Sequence, residues 1–344
     1  MKTLRYLFLL AIVSFPINTS AQSLAPPKIW DKRFGGNSYE NIYCFCPLSD
    51  GTFLAGGTSS SDAGGDKTQN NWGKWDYWIV KIDAQGNKIW DKRYGYTYEE
   101  TPNSMIQLSN GKILLVGWSS SPAGGDKTQN QFGGNYDQDF WIVCIDQNGT
   151  KIWDKIYGGT SNDEAYSAVQ ATNNSIFICG ISNSTTGGNK TSPSYGNGDS
   201  WIIKIDTSGN LLNQTTIGGS SGETPFSIDI SDDGYLYCGM ITGSSASGNI
   251  SSSTYGGSDY LVCKLDQSLN IIWQKRLGGS SSEYAAHAGC SHGKISISGY
   301  TNSPISGNKT DANCNDYDFW DVNLDASGNI INQKTYGGSS SDDT

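Results

Sequence analysis

The stretch SMIQLSNGKILLVGW, Ser104 to Trp118, places two short apolar runs on either side of an Asn-Gly pair. Such a pair supplies the positive φ angles that a tight hairpin turn needs, and apolar runs of this length are typical of β-strands. A long polar loop separates it from a second hairpin pattern, which consists of FWIVCID (Phe140–Asp146), an Asn148-Gly149 turn and KIWDKIY (Lys151–Tyr157). The sequence therefore predicts a unit of four short antiparallel strands.

This unit recurs along the chain. The phrase KIWDKRFGG at Lys28 returns as KIWDKRYGY at Lys88 and as KIWDKIYGG at Lys151. Its glycine turn recurs at steps of 60, 63, 60, 60 and 59 residues, beginning at Gly35, Gly95, Gly158, Gly218, Gly278 and Gly337. A lone four-stranded meander cannot cover its own faces, whereas radial stacking of such sheets covers both faces and protects the edges. We predict an all-β fold, a β-propeller of four-stranded antiparallel blades, with a linear β-solenoid as the alternative.

The two ends of the chain contain parts of the repeat. Lys28–Phe34 reads as a lone fourth strand, five complete repeats follow, and Gly337–Thr344 repeats the start of another unit. This predicts a truncated propeller with six or more blades. Lys2 and Arg5 precede an apolar run and small residues near Ala21, which is typical of a secretory signal. We expect a signal peptide over 1–21, a propeller domain over 22–344, and a secreted, extracellular or cell-surface location.

Charge and composition exclude several function classes. The formal net charge is −10 and the chain has no Lys/Arg-rich run, so the sequence does not predict nucleic-acid binding. No apolar run after the signal approaches the length of a membrane-spanning helix, so we expect no transmembrane segment. The eight Cys fall at apolar or repeat positions and read as buried thiols rather than disulfides. We expect a monomer without a cofactor or metal, and a protein or glycan partner that the sequence does not identify.

Several side chains recur at fixed places in the unit, and a structural role explains them. A Trp on the fourth strand is predicted to pack between blades, and Asn213 and Asn332 replace it at two seams, which should be weaker. Acidic residues in tight loops are predicted to accept backbone N–H bonds, although a ring of carboxylates holding Ca²⁺ is an alternative. The Trp set is Trp30, Trp90, Trp153 and Trp273; the acidic sets are Asp76, Asp139, Asp199, Asp259 and Asp318, and Glu40, Glu100, Asp163, Glu223 and Glu283.

The loops between the second and third strands are long and should emerge on the same face as the connections between blades. Because binding residues often lie on loops held by a rigid scaffold, this long-loop face is the predicted binding surface. It carries a recurring lysine and an aromatic-Gly step, although the aromatic residues could instead hold each loop against its blade. These candidate binding residues are Lys67, Lys127, Lys190, Lys309, Trp72, Phe132, Tyr195 and Tyr255.

Catalytic motifs are missing from the sequence. The chain has two His residues, His287 and His292, in one repeat, and it has no HExxH or GxxxxGK[ST] motif. We therefore expect a non-catalytic module for binding or scaffolding, with no catalytic residue to name. The alternative is an extracellular glycoside-active enzyme, which would need a pair of acidic residues that break the repeat.

The repeat resembles that of a known family. The segments DYWIVKIDAQGN (Asp76–Asn87), WDKRYGYTYEE (Trp90–Glu100) and GWSSS (Gly117–Ser121) are similar to the units of exported bacterial β-propeller-repeat proteins. This resemblance implies a non-catalytic secreted or surface module, commonly exported by type IX secretion with a C-terminal sorting domain, which this sequence does not contain. Lys81–Trp90 also resembles the repeat of quinone-dependent propellers, but its Thr-Gly step is altered and vicinal Cys are missing, so a quinone-type propeller is the lesser alternative.

Overall fold

The computed structural model describes residues 30–314 and 316–341, so the predicted signal peptide lies outside the described residues. Within this part of the chain, twenty strands form five four-stranded antiparallel sheets, and the strands of each sheet are adjacent in sequence order. The prediction of an all-β fold with four-stranded antiparallel blades is confirmed. The blades all lie in the compact unit that begins at Lys32.

Each blade runs from a first strand to a fourth strand. The first strands are β1 (Glu40–Pro47), β5 (Glu100–Gln107), β9 (Asp163–Gln170), β13 (Glu223–Ile230) and β17 (Glu283–Ser291). The second strands are β2 (Phe53–Ser59), β6 (Ile113–Ser119), β10 (Ile176–Ser182), β14 (Leu236–Thr242) and β18 (Lys294–Thr301). The third strands are β3 (Asp76–Ile82), β7 (Asp139–Ile145), β11 (Asp199–Ile205), β15 (Asp259–Leu265) and β19 (Asp318–Asp325). The fourth strands are β4 (Lys88–Tyr94), β8 (Lys151–Tyr157), β12 (Leu211–Ile217), β16 (Ile271–Leu277) and β20 (Ile330–Tyr336).

The predicted strand over Lys28–Phe34 is not found in its described part. Residues 30–34 form no strand, and Phe34 instead packs against Trp78 and Val80 on one face of blade one. The same phrase is a strand at Lys88–Tyr94 because it pairs there with the third strand of its own blade. The repeated residues therefore need that neighbouring strand to become extended and paired.

The core lies in the seams between consecutive blades. Every residue of β7 is buried, because one side of this strand packs on blade one and the other on blade three. Aromatic pairs recur at these seams, with ring centroids 4.9 Å apart for Tyr77 and Trp141 and 5.4 Å apart for Tyr260 and Trp320. Such pairs contribute about 0.5–1.5 kcal/mol beyond the area they bury. The first strands of consecutive blades also contact one another, which places them along the inner line of the array.

The two outer blades present different open faces. On blade one, Ile42 and Phe45 are 69% and 51% exposed, whereas Ala168 and Ile228, which match Phe45 in register, are 7% and 4% exposed. A cavity of about 280 Å³ lies beside Ile42, with Phe34, Ala55 and Val80 among its lining residues. The open face of blade five is polar instead, because the hydrogen-bonded pairs Ser296–Asn323 and Ser298–Asp321 lie on it.

The cysteines match the expectation of free thiols. All eight lie in the described residues and none forms a disulfide there. Five are buried, Cys44 and Cys290 are half-buried, and Cys314 is exposed. Burial raises the pKa of the Cys44 and Cys290 thiols to about 12, so these thiols stay protonated and unreactive. In the part of the chain that the structure describes, no helix has the length and apolar character that a membrane span requires.

Candidate functional site

The recurring lysines of the long-loop face point into their own loops. Lys67, Lys127, Lys190 and Lys309 are 1–3% exposed. The Lys67 ammonium donates to the Ser61 carbonyl at 2.5 Å, and that of Lys190 donates to the Ser192 carbonyl at 3.1 Å. Burial lowers the pKa of Lys127 to about 8. These four lysines were predicted as binding residues, but their burial leaves no exposed ammonium for a ligand, and their contacts are structural.

The recurring acids receive hydrogen bonds from the loops, in the geometry that the sequence predicts. Each Asp that begins a third strand accepts the backbone N–H of an aromatic-Gly step or its equivalent, as Asp76 does from Trp72 at 2.6 Å and Asp259 does from Tyr255 at 3.0 Å. Each acid that begins a first strand accepts an N–H from the preceding turn at 2.7–3.1 Å; these acids are Glu40, Glu100, Asp163, Glu223 and Glu283.

The two acidic sets meet across the seams. A Cβ built on Gly158 would lie 1.8 Å from Asp139 Oδ1 and 3.0 Å from Asp163 Oδ2, so only a glycine leaves room for both carboxyl groups. Asp139 and Asp163 are both fully buried, and the Oδ1 atoms of both lack a hydrogen-bond partner among the described residues. Because these two carboxyl groups approach the same glycine and each keeps a buried oxygen without a donor, we infer that one of them carries a proton.

The pKa shifts agree with a shared proton. Burial, with a contribution from the neighbouring acid, raises the pKa of Asp76 to about 8 and that of Asp139 to about 9. Burial also raises the pKa of Glu100, Asp163 and Glu283. No group of three or more His, Cys, Asp or Glu suited to a metal ion occurs among the described residues. The pairs are thus better suited to hold protons than to hold the Ca²⁺ considered from the sequence.

Blade four lacks the loop lysine, and an arginine takes its place. Ile250 occupies the lysine position, and Arg276 on β16 reaches Asp259, with 2.8 Å between Nη1 and Oδ2. The same guanidinium donates to the carbonyls of Ser244 and Ser252 at 2.6 and 3.0 Å. Arg276 was not predicted from the sequence, although the replacement of the loop lysine by Ile250 in Gly248-Asn249-Ile250 could have indicated it.

The aromatic-Gly residues bridge neighbouring blades. Phe132, Tyr195 and Tyr255 lie against glycines of the next blade, since a Cβ on Gly188, Gly248 or Gly307 would approach their rings within 2.7–3.0 Å. Trp72 contacts Tyr96, in the connection from blade one to blade two, edge-on at 6.4 Å and lies beneath Arg93, 4.7 Å from the ring centroid. Trp72, Tyr195 and Tyr255 nevertheless remain 38–53% exposed. These predicted binding residues are thus spread along the seams, with one side packed and one side open.

The fourth-strand tryptophans also reach across the seams. Trp90, Trp153 and Trp273 donate their indole N–H to carbonyls in the next blade at 3.2–3.3 Å. Each indole packs on a turn glycine, namely Gly149, Gly209 or Gly328. Asn213 keeps the hydrogen bond at the blade three–four seam by donating to the Ser268 carbonyl at 2.8 Å, and Leu269 replaces the glycine there. Leu269 is 4% exposed and packs in the core, so the expected weakness at this seam is offset.

A different set of aromatic residues breaks the repeat. Trp118 is the penultimate residue of β6, where the other blades carry Thr58, Ile181, Ile241 and Tyr300. Trp75 precedes β3, where the other blades carry Gln138, Gly198, Ser258 and Tyr317. Tyr43 occupies the bulge of β1 and is 51% exposed. A bulge residue is unpaired and can point its side chain away from the sheet pattern. These three residues were not predicted from the sequence, because they do not recur from one repeat to the next.

Trp75, Trp118 and Tyr43 meet in one cleft between blades one and two, here called the aromatic cleft. It has a volume of about 270 Å³ and is lined by these three residues together with Asn41, Thr58, Glu99 and Thr101. A main-chain bridge joins Trp75 to Glu99, and the Glu100 N–H donates to the Trp75 carbonyl at 2.7 Å. These bonds fix the cleft wall across the seam, so its aromatic and polar groups are pre-positioned.

The comparisons with known proteins support the fold alone. Neither a protein-family model nor a curated protein matches the sequence. The chain is similar in structure to Kuenenia stuttgartiensis hydrazine synthase, with a TM-score of 0.50 and 11% identity over 86% of this chain and 66% of that chain. It is also similar to the Neurospora crassa Pan2 WD40 domain, with a TM-score of 0.45 and 11% identity over 86% and 66% of the two chains. A Dyadobacter fermentans protein of unknown function gives a TM-score of 0.47 and 10% identity over 86% and 82%. The matched region spans about two thirds of the first two proteins, and these neighbours have β-propeller-like folds.

Proposed function

We propose that the protein is a secreted or surface-exposed, non-catalytic β-propeller module that binds a protein or glycan partner through its long-loop face. The aromatic cleft is the observation that carries this proposal. The recurring lysines and acids of this face make contacts inside the blades, whereas Tyr43, Trp75 and Trp118 break the repeat and line the cleft, Tyr43 being exposed and both Trp residues half-buried. Exposed aromatic residues on a rigid scaffold are typical of binding sites.

The aromatic-Gly residues enlarge this proposed surface. The exposed sides of Trp72, Tyr195 and Tyr255 lie near the blade seams on the same face as the long loops. Their packed sides already stabilise the seams, so each substitution there tests stability as well as binding. The aromatic cleft therefore provides the cleaner test of a binding role.

The cleft favours binding over hydrolysis. Of the described residues that line it, Glu99 is the single acid, whereas most glycoside hydrolases use two carboxyl groups on opposite sides of the scissile bond. The acids that begin the third strands do form pairs with the acids that begin the first strands of the next blades, and these paired residues are here called the seam acids. They are fully buried, so a substrate cannot reach them. A glycoside-active enzyme thus has less support in this arrangement than a binding module.

Export is part of the proposal and rests on the sequence. The signal-like segment over 1–21 and the resemblance to exported propeller-repeat proteins support secretion, and the resemblance supports the type IX route. Expression of this chain in a Gram-negative bacterium should place the protein outside the cytoplasm, cleaved near Ala21. Retention of the uncleaved chain in the cytoplasm would contradict this part of the proposal.

The binding role can be tested with the purified mature chain. Immobilised glycans and cell-surface protein extracts would be screened for retention, and the same glycans would be assayed for released sugar. We expect retention without turnover, reduced by Trp118→Ala and unchanged by Ile331→Ala, which alters an exposed residue on the outer strand β20. Sugar release, or no retention by either class of partner, would refute the proposed function.

A further inference from the structure

We infer that the aromatic cleft is a binding site for one pyranose ring of a neutral glycan. This inference rests on the proposed function and names the ligand class of the same face. The lining combines indole and phenol rings with amide, hydroxyl and carboxylate groups, contributed by Trp75, Trp118, Tyr43, Asn41 and Glu99. A pyranose has the complementary chemistry, because its axial C–H groups form an apolar face while its hydroxyl groups lie around the edge.

The aromatic wall supplies the apolar half of this match. Trp75 and Trp118 are both half-buried, so each indole is held on one side and open on the other. Tyr39 contacts Trp75 with a centroid distance of 6.5 Å, which restricts movement of the Trp75 ring. A rigid aromatic side chain loses little conformational entropy on binding, which favours stacking on a flat apolar face.

The polar groups of the cleft match the hydroxyl groups of a sugar and disfavour charged ligands. Asn41 can donate and accept hydrogen bonds, Glu99 can accept them, and hydroxyl groups of a sugar can do both. Lys74 lies 3.4 Å from Glu99 and offsets part of its charge, which weakens attraction for a basic peptide. A carboxylate at the site and a chain of formal net charge −10 disfavour an acidic glycan.

The size of the cleft limits the ligand to one ring. Its volume of about 270 Å³ lies just under the range of about 300–1,000 Å³ that is common for sites enclosing a drug-sized ligand. A single sugar ring fits a site of this size, and the neighbouring units of an oligosaccharide would extend along the long-loop face. The protein should thus contact an internal or terminal unit of a glycan without enclosing the chain.

The other seams provide an internal comparison. At the blade three–four seam, the positions of Trp75 and Trp118 are taken by Gly198 and Ile241. Glu99 is matched there by Gly222. The recurring framework therefore does not require these side chains, and they can be changed without loss of a repeated structural contact.

The test uses the mature chain with cellotetraose, mannotetraose, galactotetraose and chitotetraose as probes, followed by ligand-observed NMR and intrinsic tryptophan fluorescence. We expect saturable binding of at least one probe below about 10 mM, weakened about tenfold or more by Trp118→Ala and by Trp75→Ala, and weakened less by Glu99→Gln. The matched control is Tyr336→Ala, which changes an exposed aromatic residue on the outer strand β20 that is not part of the cleft lining and should leave the affinity unchanged.

Three outcomes would overturn the inference. They are no saturable binding of any probe, binding that Trp75→Ala and Trp118→Ala leave intact, and tighter binding of a uronic-acid tetrasaccharide than of every neutral probe. Circular dichroism of each variant must show the wild-type spectrum, and Trp118→Tyr, which keeps an aromatic ring, should retain part of the affinity if Trp118→Ala fails to fold. Retention of a protein partner with no sugar binding would refute this inference and leave the proposed binding role standing.

Discussion

At the residue scale, the blade three–four seam shows that the buried space between two blades can be filled by a side chain from either blade. Elsewhere an indole packs on a turn glycine, as Trp153 does on Gly209. At this seam the turn residue is Leu269, with a φ of 66°, and the fourth strand carries Asn213. A leucine in the left-handed region is strained by about 1–2 kcal/mol, so its burial must outweigh that cost. The pair Asn213 and Leu269 thus substitutes for the Trp and Gly pair.

We predict strong coupling between these two positions. Leu269→Gly should lower the unfolding free energy by about 2–3 kcal/mol, since the loss of a buried leucine exceeds the relief of strain. Asn213→Trp alone should lower it by about 1–3 kcal/mol, because the indole would overlap Leu269. The double variant should recover most of the loss, which urea denaturation of all four proteins would show as a double-mutant cycle. Additive losses in the double variant would show that the Asn213 and Leu269 pair does not substitute for the Trp and Gly pair. The control is Leu212→Ala, at an exposed neighbour, which should change the unfolding free energy by about 0.5 kcal/mol or less.

A second residue-scale prediction concerns Arg276. Its guanidinium is the cation beside the fully buried Asp259, and both side chains are at most 2% exposed. Arg276→Met should therefore lower the unfolding free energy by about 3–5 kcal/mol, because Asp259 is left buried without its partner. Adding Ile250→Lys should recover part of this loss by restoring the loop lysine of the other blades. Lys334→Met, which removes an exposed ion pair with Asp311, should cost about 1 kcal/mol or less, and an equal effect of both single changes in thermal denaturation would contradict the argument.

At the element scale, the seam acids make the join between two blades dependent on pH. The folded-state pKa of Asp139 is raised to about 9 from an ordinary value of 3.8, mainly because the group is buried. The folded protein therefore binds a proton that the unfolded chain releases above about pH 4. The contribution of this group to stability is fully present below pH 4 and falls as pH rises toward 9.

We predict that Asp139→Asn reduces this loss. An amide can keep an oxygen for the Phe132 N–H and direct its NH₂ group at the unpaired Oδ1 of Asp163, as a protonated carboxyl group would. The variant should match the wild type near pH 5 and be more stable near pH 9, as measured by urea denaturation across that range. The control is Asp146→Asn in the same blade, where backbone N–H bonds from Thr150 lower the pKa, so that variant should be less stable than the wild type at both pH values. A uniform loss with Asp139→Asn would refute the shared proton.

The elements were predictable from the sequence to different degrees. The fourth strand Lys151–Tyr157 has the predicted bounds, because its period-two pattern ends at a glycine turn. Asp139 was identified from recurrence alone, but its facing partner in the next blade depends on how the sheets stack. Tyr43 could not be identified, because the bulge that turns it outward leaves no mark in the apolar pattern. The recurring positions therefore predicted the residues of the repeated framework, but they could not predict the residues that differ between repeats.

At the scale of the whole molecule, the array has one apolar and one polar open face. The polar groups Asp321 and Asn323 on blade five are satisfied by serines of the same sheet, so that face can remain in water. Blade one exposes Ile42 and Phe45 at register positions that are buried within the seams. Exposed apolar residues at these positions identify blade one as the face with the greater tendency to associate.

We predict that residues at matching register positions contribute more to the unfolding free energy inside a seam than on the open face of blade one. Ile228→Ala, inside the blade three–four seam, should lower the unfolding free energy by about 2–4 kcal/mol, because it leaves a cavity between two sheets. Phe45→Ala, at the matching place on blade one, should lower it by about 1 kcal/mol or less, because the ring is half exposed and stacks on Phe53, 5.4 Å away. Urea denaturation at two protein concentrations would measure both changes. If Phe45→Ala were as costly as Ile228→Ala, the face of blade one would be covered in solution, and a cost that grew with protein concentration would identify a second copy of the chain as the cover.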